Sequence, residues 1–243
     1  TLLFCLLDPV WAQADAPNNL LDAVDLRKPM KLADLGTPLQ LIVFLSMMTI
    51  IPFLFIMTTS FIRTIIVLSF LRTAMGTQQV PPNQVVVGIA LFLTFYTMAP
   101  VWEKINDDAI TPYLDNRISQ GVAVEKAITP LKTFMLKHTS RPELGFFIKL
   151  VNIPTPQKPS EVPLHVLVPA FMISELTTGF KIGFVLFLPF LVVDLVVANT
   201  LLALGMMMLS PVTISLPFKI LIFTLANGWF LVIQAIIQSF RMA

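Results

Sequence analysis

Residues 162–240 read VPLHVLVPAFMISELTTGFKIGFVLFLPFLVVDLVVANTLLALGMMMLSPVTISLPFKILIFTLANGWFLVIQAIIQSF. These 79 residues carry four formal charges: Glu175, Lys181, Asp194 and Lys219. So long an apolar stretch belongs in or against a bilayer. A charge in hydrocarbon costs about 2.5–3.5 kcal/mol on insertion scales, so it persists only where it pairs or lines a polar path. Two signs alternate along one apolar segment, which predicts buried ion pairs within or between subunits.

The rest of the chain agrees. Hydrophobic residues are 56%, charged residues 12%, and the mean hydropathy is +0.83. Soluble domains are about 25% charged, so composition reads as an integral, all-α membrane protein. The net charge of +2 argues for no nucleic-acid partner. With one cysteine, Cys5, neither a disulfide framework nor a cysteine-rich metal site can form within one chain.

Working outward, residues 1–14 read as a leader. Thr1 to Leu7 is apolar, and Ala12-Gln13-Ala14 is an A-x-A cleavage site, although a basic region before it is missing. Residues 15–38 form a polar arm with Pro17, Pro29 and Pro38. Residues 39–102 make a first apolar hairpin. Positions 39–62 are uncharged and long enough to span, and the helix is expected to continue through Arg63 to Leu71. A turn follows at 73–84 with Gly76, Pro81 and Pro82, and 85–102 form a second apolar segment.

Residues 103–163 hold 15 of the 30 Asp, Glu, Lys and Arg residues and read as a small water-facing helical subdomain. Helix starts are predicted at Thr111-Pro112 and Thr129-Pro130, with Pro at the first helical position, and at a Ser140-x-x-Glu143 capping box. An extended Pro-rich link at 153–159 ends it. Residues 164–243 hold the C-terminal apolar helices, expected as three: 162–180, 182–208 and 212–240, with a reversal at Ser210-Pro211 and kinks at Pro189 and Pro217. The leader would put residues 15–38 and the subdomain outside and the 73–84 turn inside. From the subdomain, the Met206 turn is reached by one long descent or by two crossings.

Enzyme constellations are missing. His138 and His165, the two histidines, have no H-E-x-x-H context, and there is no G-x-S-x-G elbow, P-loop or Rossmann pattern. His138 reads as a solvated helix-end residue and His165 as an interfacial one. No cofactor is implied. The polar marks in the apolar segments are more informative. Glu175 shares a face with Gly179 and Gly183, a small-xxx-small pattern for close helix packing; the competing reading is a helix-end carboxylate near water. Lys219 either snorkels to an interface or pairs with Glu175 or Asp194. We expect Glu175 and Lys219 to meet, between neighbouring subunits, and count Asp194 and Arg63 with them as inter-subunit ion-pair or buried polar residues. Met206, Met207 and Met208 sit at a reversal. They are a packed or lipid-facing helix end, or a deformable ring of soft thioethers around a pore.

The run from Pro169 to Gly183 (PAFMISELTTGFKIG) and the run from Pro217 to Trp229 (PFKILIFTLANGW) resemble the two signatures of the FliP family. The likeness extends from about Leu41 to Met242, Arg63 to Pro82 included. The resemblance implies a non-enzymatic core subunit of the flagellar type III export gate, with injectisome relatives. It implies a ring of about five copies with FliQ-type and FliR-type membrane subunits, alongside FlhB-type and FlhA-type export components, in the bacterial inner membrane at the flagellar basal body. Unfolded polypeptides would pass through it, Met206, Met207 and Met208 would form a gasket on the pore, and the helices would build a helical assembly largely lifted out of the lipid. The rival readings are a secondary transporter using Glu175 or Asp194, which predicts inverted repeats, and a membrane scaffold of an injectisome.

Overall fold

The computed structural model describes residues 37–77, 80–151, 161–206 and 208–241. The expected leader, nearly all of the polar arm, the Pro-rich link at 153–159 and Met207 lie outside the described residues. The chain divides into two units, Thr1–Ile50 and Ile51–Ala243, and all the packing below lies in the second.

Among the described residues every element is helical: α1 (Thr37–Thr58), α2 (Phe61–Ala74), α3 (Asn83–Ile105), a π-helical turn (Asn106–Ile110), α4 (Thr111–Leu114), α5 (Gln120–His138), α6 (Arg141–Leu150), α7 (Leu164–Ala203), α8 (Pro211–Leu225) and α9 (Gly228–Arg241). Three stretches among the described residues are long and apolar enough to cross a membrane: Gln40–Thr58, Asn83–Leu114 and Leu164–Ala203. The pair α8 and α9, bent by 66°, passes the same test together. The fold is thus that of an all-α membrane protein.

Several boundaries differ from the sequence reading, each for a local reason. The first long helix does not run through Arg63. It breaks at Thr59–Ser60, both fully buried. There the Thr59 hydroxyl donates to the Phe55 carbonyl at 2.7 Å and accepts the Phe61 N–H at 3.5 Å, and Ser60 Oγ lies 2.5 Å from Thr97 Oγ1 on α3. Short hydroxyl side chains compete in this way with the helical ladder. Thr111-Pro112 does open α4, with Pro in the first turn, but as a continuation of the helical backbone at Ile110 rather than from a capped, free start. Pro112 has no N–H and its ring crowds the preceding turn, and the chain arrives there through the wider π-helical turn. Thr129-Pro130 lies inside α5, where the Thr129 hydroxyl back-bonds to the Glu125 carbonyl at 2.9 Å.

Ser140 does precede α6, but no capping box forms. In that motif the Glu reaches back to the N-cap N–H. Here the Ser140 N–H donates to Ser174 Oγ of α7 at 2.9 Å, and Glu143 Oε2 has no partner. The subdomain therefore docks on α7 through a backbone donor that a local motif would have consumed.

The expected break between 180 and 182 is absent. α7 is one helix of 40 residues, about 60 Å at 1.5 Å per residue, and passes through Lys181, which is exposed. It makes the single descent to the Met206 turn. Conversely, 212–240 is two helices. Asn227 adopts φ 52°, a left-handed value that Asn tolerates and that ends a helix. Gly228 then permits a close approach, since a Cβ there would sit 2.2 Å from the Phe223 ring.

Two apolar clusters hold the second unit together. The larger joins Val67, Leu68 and Leu71 of α2, Val86, Ala90 and Leu93 of α3, Phe190, Phe223, and Val232, Ile236 and Phe240 of α9. The smaller joins Met135 of α5 to Val166, Leu167 and Phe171 of α7. Phe134 packs against both.

Candidate functional site

α2 and α7 cross where small residues let them. A Cβ at Gly179 would lie 3.1 Å from Ile66 Cγ2, and one at Gly183 would lie 2.6 Å from Phe70 Cγ. Close approach brings Arg63 of α2 against Glu175 of α7. Arg63 donates from Nε to Glu175 Oε2 at 2.9 Å, and its Nη2 pairs with Oε1 in the same fork. Its Nη1 donates to the Ser239 carbonyl at 3.0 Å and the Ser239 hydroxyl at 3.1 Å. The guanidinium stands 3.9 Å from the centre of the Phe240 ring, a cation–π contact. Both side chains are buried, at 2% and 0% exposure. A bidentate geometry with the remaining donors satisfied is the condition under which a buried ion pair persists.

A second pair lies about 28 Å further along α7, at 1.5 Å for each of 19 residues. Lys219 Nζ donates to Asp194 Oδ2 at 2.6 Å and to the Ala74 carbonyl at 3.3 Å. Ser215, one turn before Lys219 on α8, donates to Asp194 Oδ1 at 2.5 Å. Residues four apart share a helix face, so both reach one carboxylate. The amine also caps the C-terminus of α2, where a cation is favoured. Lys219 is buried, whereas the Asp194 side chain keeps 27% exposure.

The expected contact between Glu175 and Lys219 is therefore replaced within the chain: Glu175 takes Arg63, and Lys219 takes Asp194. The notion of a snorkelling Lys219 is corrected too, since Lys219 is only 3% exposed.

Beyond the second pair α7 ends in a Schellman motif. The Met206 N–H donates to the Leu201 carbonyl at 2.9 Å and the Gly205 N–H to Leu202 at 3.0 Å. Gly205 takes φ 74°, which a residue without a Cβ adopts freely. The turn that follows is exposed, Met206 at 48% and Met208 at 100%. The walls of the α7–α8 hairpin enclose an apolar groove of about 460 Å³ lined by Val192, Val196, Leu201, Ile214, Phe218 and Ile222 among others.

The histidines separate. His165 is exposed at the start of α7. His138 is not the solvated residue expected: it is 8% exposed, packed 4.6 Å from Phe134 and 5.3 Å from Phe240 between ring centres. Burial, and then the nearby Arg63 and Lys137 charges, lower its pKa from 6.5 to about 4. Among the described residues no three His, Cys, Asp or Glu side chains cluster to hold a metal ion. Sequence reasoning missed Ser215, Ser174, Ser239 and Phe240. The Ser215-x-x-x-Lys219 spacing was available; nothing pointed to Ser239 or Phe240.

The FliP family model matches residues 44–236. The flagellar biosynthetic protein FliP of Bacillus subtilis (strain 168) is 52% identical over 167 residues, 69% of this chain and 76% of that protein. FliP of Pectobacterium carotovorum subsp. carotovorum is 50% identical over 167 residues, 69% of this chain and 65% of that protein. FliP of Aquifex aeolicus (strain VF5) is 48% identical over 170 residues, 69% of this chain and 71% of that protein. The match thus spans less than two thirds of the Pectobacterium protein.

Proposed function

The chain belongs to the FliP family, and from that premise we propose that it is a channel-forming subunit of a bacterial flagellar type III protein export gate. In this reading it passes unfolded polypeptides across the inner membrane and seals the path when idle. It does so as a ring of about five copies, with FliQ-type and FliR-type subunits beside it and FlhB-type and FlhA-type export components alongside. The subdomain of residues 103–163 faces the periplasm.

The observation that carries this reading is the hairpin of α7 and α8. Its apex is uncharged, methionine-rich and exposed, while Asp194, Lys219 and Ser215 tie its two limbs together. A gate needs a soft tip on a braced base. Thioether side chains close a gap without polar atoms and rearrange through three rotatable bonds, and an apolar constriction blocks ions by dewetting. Met206, Met207 and Met208 supply that tip, crowded around one axis by the ring. The transporter reading is supported less well, because each candidate carboxylate is already matched by a cation of the same chain.

The test has two arms. Particle images and mass of the purified complex should give a closed ring of this chain around a central path; a monomer with an occluded site would sink the reading. Replacing all three methionines by alanine should leave the ring assembled but raise ion conductance across a planar bilayer. A triple variant as tight as the parent would move the seal to a partner subunit.

A further inference from the structure

His138 sits on the seam between the two apolar clusters. It ends α5, it is 8% exposed, and its Nδ1 has no hydrogen-bond partner. One of its neighbours, Phe240, already carries the Arg63 guanidinium at 3.9 Å from the ring centre. Two residues on, the Ser140 N–H to Ser174 Oγ bond makes a polar tie between the subdomain and α7. A neutral imidazole fits this seam as an aromatic ring. A protonated one would be a second cation against the same phenyl ring, and both Glu175 oxygens are already held by Arg63.

We propose that His138 is an acid-sensitive latch, whose neutral ring holds the subdomain of α5 and α6 on α7 and α9 and whose protonation releases it. The charged groups around it are unevenly placed. Arg63 of α2 and Lys137 of α5 oppose protonation. Glu103 and Lys104 of α3 and Asp107 and Asp108 of the π-helical turn are exposed. On α7, Glu175 is paired while His165 and Lys181 are exposed; on α9, Arg241 is exposed; on α6, Arg141 and Lys149 are exposed and Glu143 is half-buried. α4 brings only Tyr113.

The direction follows from linkage. The docked imidazole titrates near 4 rather than its ordinary 6.5, so the released state binds the proton more readily. Docking is fully favoured above pH 6.5, weakens as pH falls through the interval, and levels off below about 4. Between pH 8 and about 4.5 the docking constant should drop roughly 80-fold.

The full-length protein in detergent tests this. With Cys5→Ser removing the native thiol, Val166→Cys reports exposure of the α7 face that the subdomain covers, and Lys126→Cys serves as an always-exposed reference. Labelling with a pyridyl disulfide, which reacts in acid, gives a rate ratio between the two positions. That ratio should rise roughly 80-fold from pH 8 to 4.5 in the parent and stay within about twofold when His138→Phe is added. His138→Gln, polar but non-titrating, should also be flat, and it guards against a Phe variant that fails to fold. A flat parent profile, or an equal rise in the His138 variants, would overturn the latch.

Discussion

The two ion pairs along α7 use the same charges to different ends. Arg63–Glu175 is dry, forked and closed on every side by Ser239 and Phe240. Lys219–Asp194 is anchored by one buried amine but leaves its carboxylate about a quarter exposed. A sealed pair has no route back to water, so losing one partner strands the other. A half-open pair can be rehydrated. The first suits a joint that never moves; the second suits one that must give.

Breaking the sealed pair should have the largest effect. Arg63→Ala strands Glu175 at 0% exposure and should destabilise the protein by about 3–5 kcal/mol, read as thermal unfolding in detergent. Replacing both partners by methionine should recover most of the loss, since apolar isosteres often substitute for a buried pair without penalty. If Arg63→Ala is no worse than Lys219→Ala, the contrast between the pairs collapses.

Next comes the crossing between them. Gly183→Ala puts a Cβ 2.6 Å from Phe70 Cγ, and overpacking of this kind should lower stability by about 1–3 kcal/mol. Shrinking the neighbour with Phe70→Leu in the same chain should relieve it; no relief would mean that α2 and α7 do not touch there.

Lys219→Ala should cost less than the loss of Arg63, about 1–2 kcal/mol, because Asp194 can turn to water and keeps the Ser215 hydroxyl. Its signature should be local: faster backbone hydrogen exchange in α8 and at the end of α2, with the subdomain unchanged. A uniform rise through α5 and α6 would show the second pair to be as global as the first.

The smallest effect on stability belongs to Met208. Fully exposed in the chain, it should tolerate alanine within about 0.5 kcal/mol, while the ion tightness of the proposed ring falls. A large loss of stability would show that the turn is packed rather than poised.

Arg63, Glu175, Asp194 and Lys219, and both packing glycines, were legible because charge and small side chains are rare in apolar helices and must be explained. Their partners were not. Composition shows that Glu175 needs a cation, but it does not show whether Arg63, 112 residues earlier, or Lys219 arrives first; that depends on which helices cross. The same limit hid the break at Thr59–Ser60, where hydroxyls override an unbroken apolar run, and the Ser140 N–H, whose partner sits on another helix. His138 read as solvated because it ends a helix in a charged segment, and only tertiary packing against Phe134 and Phe240 buries it.

One consequence of α7 is mechanical. From Pro189, which lacks the N–H to continue the helical ladder, to Ala203 the helix makes an arm of about 21 Å. A swing of roughly 10° at that point would carry the tip by about 4 Å, close to the breadth of a side chain. The crossing at Gly179 and Gly183 lies behind the proline and would act as the fixed bearing. Lys219 adds a polar tie between the moving limb and the frame, through the Ala74 carbonyl at 3.3 Å, beside the apolar contacts of Phe190 and Phe223. Small rotations at a proline, restrained by one amine and two phenyl rings, would move the tip by about the breadth of a side chain.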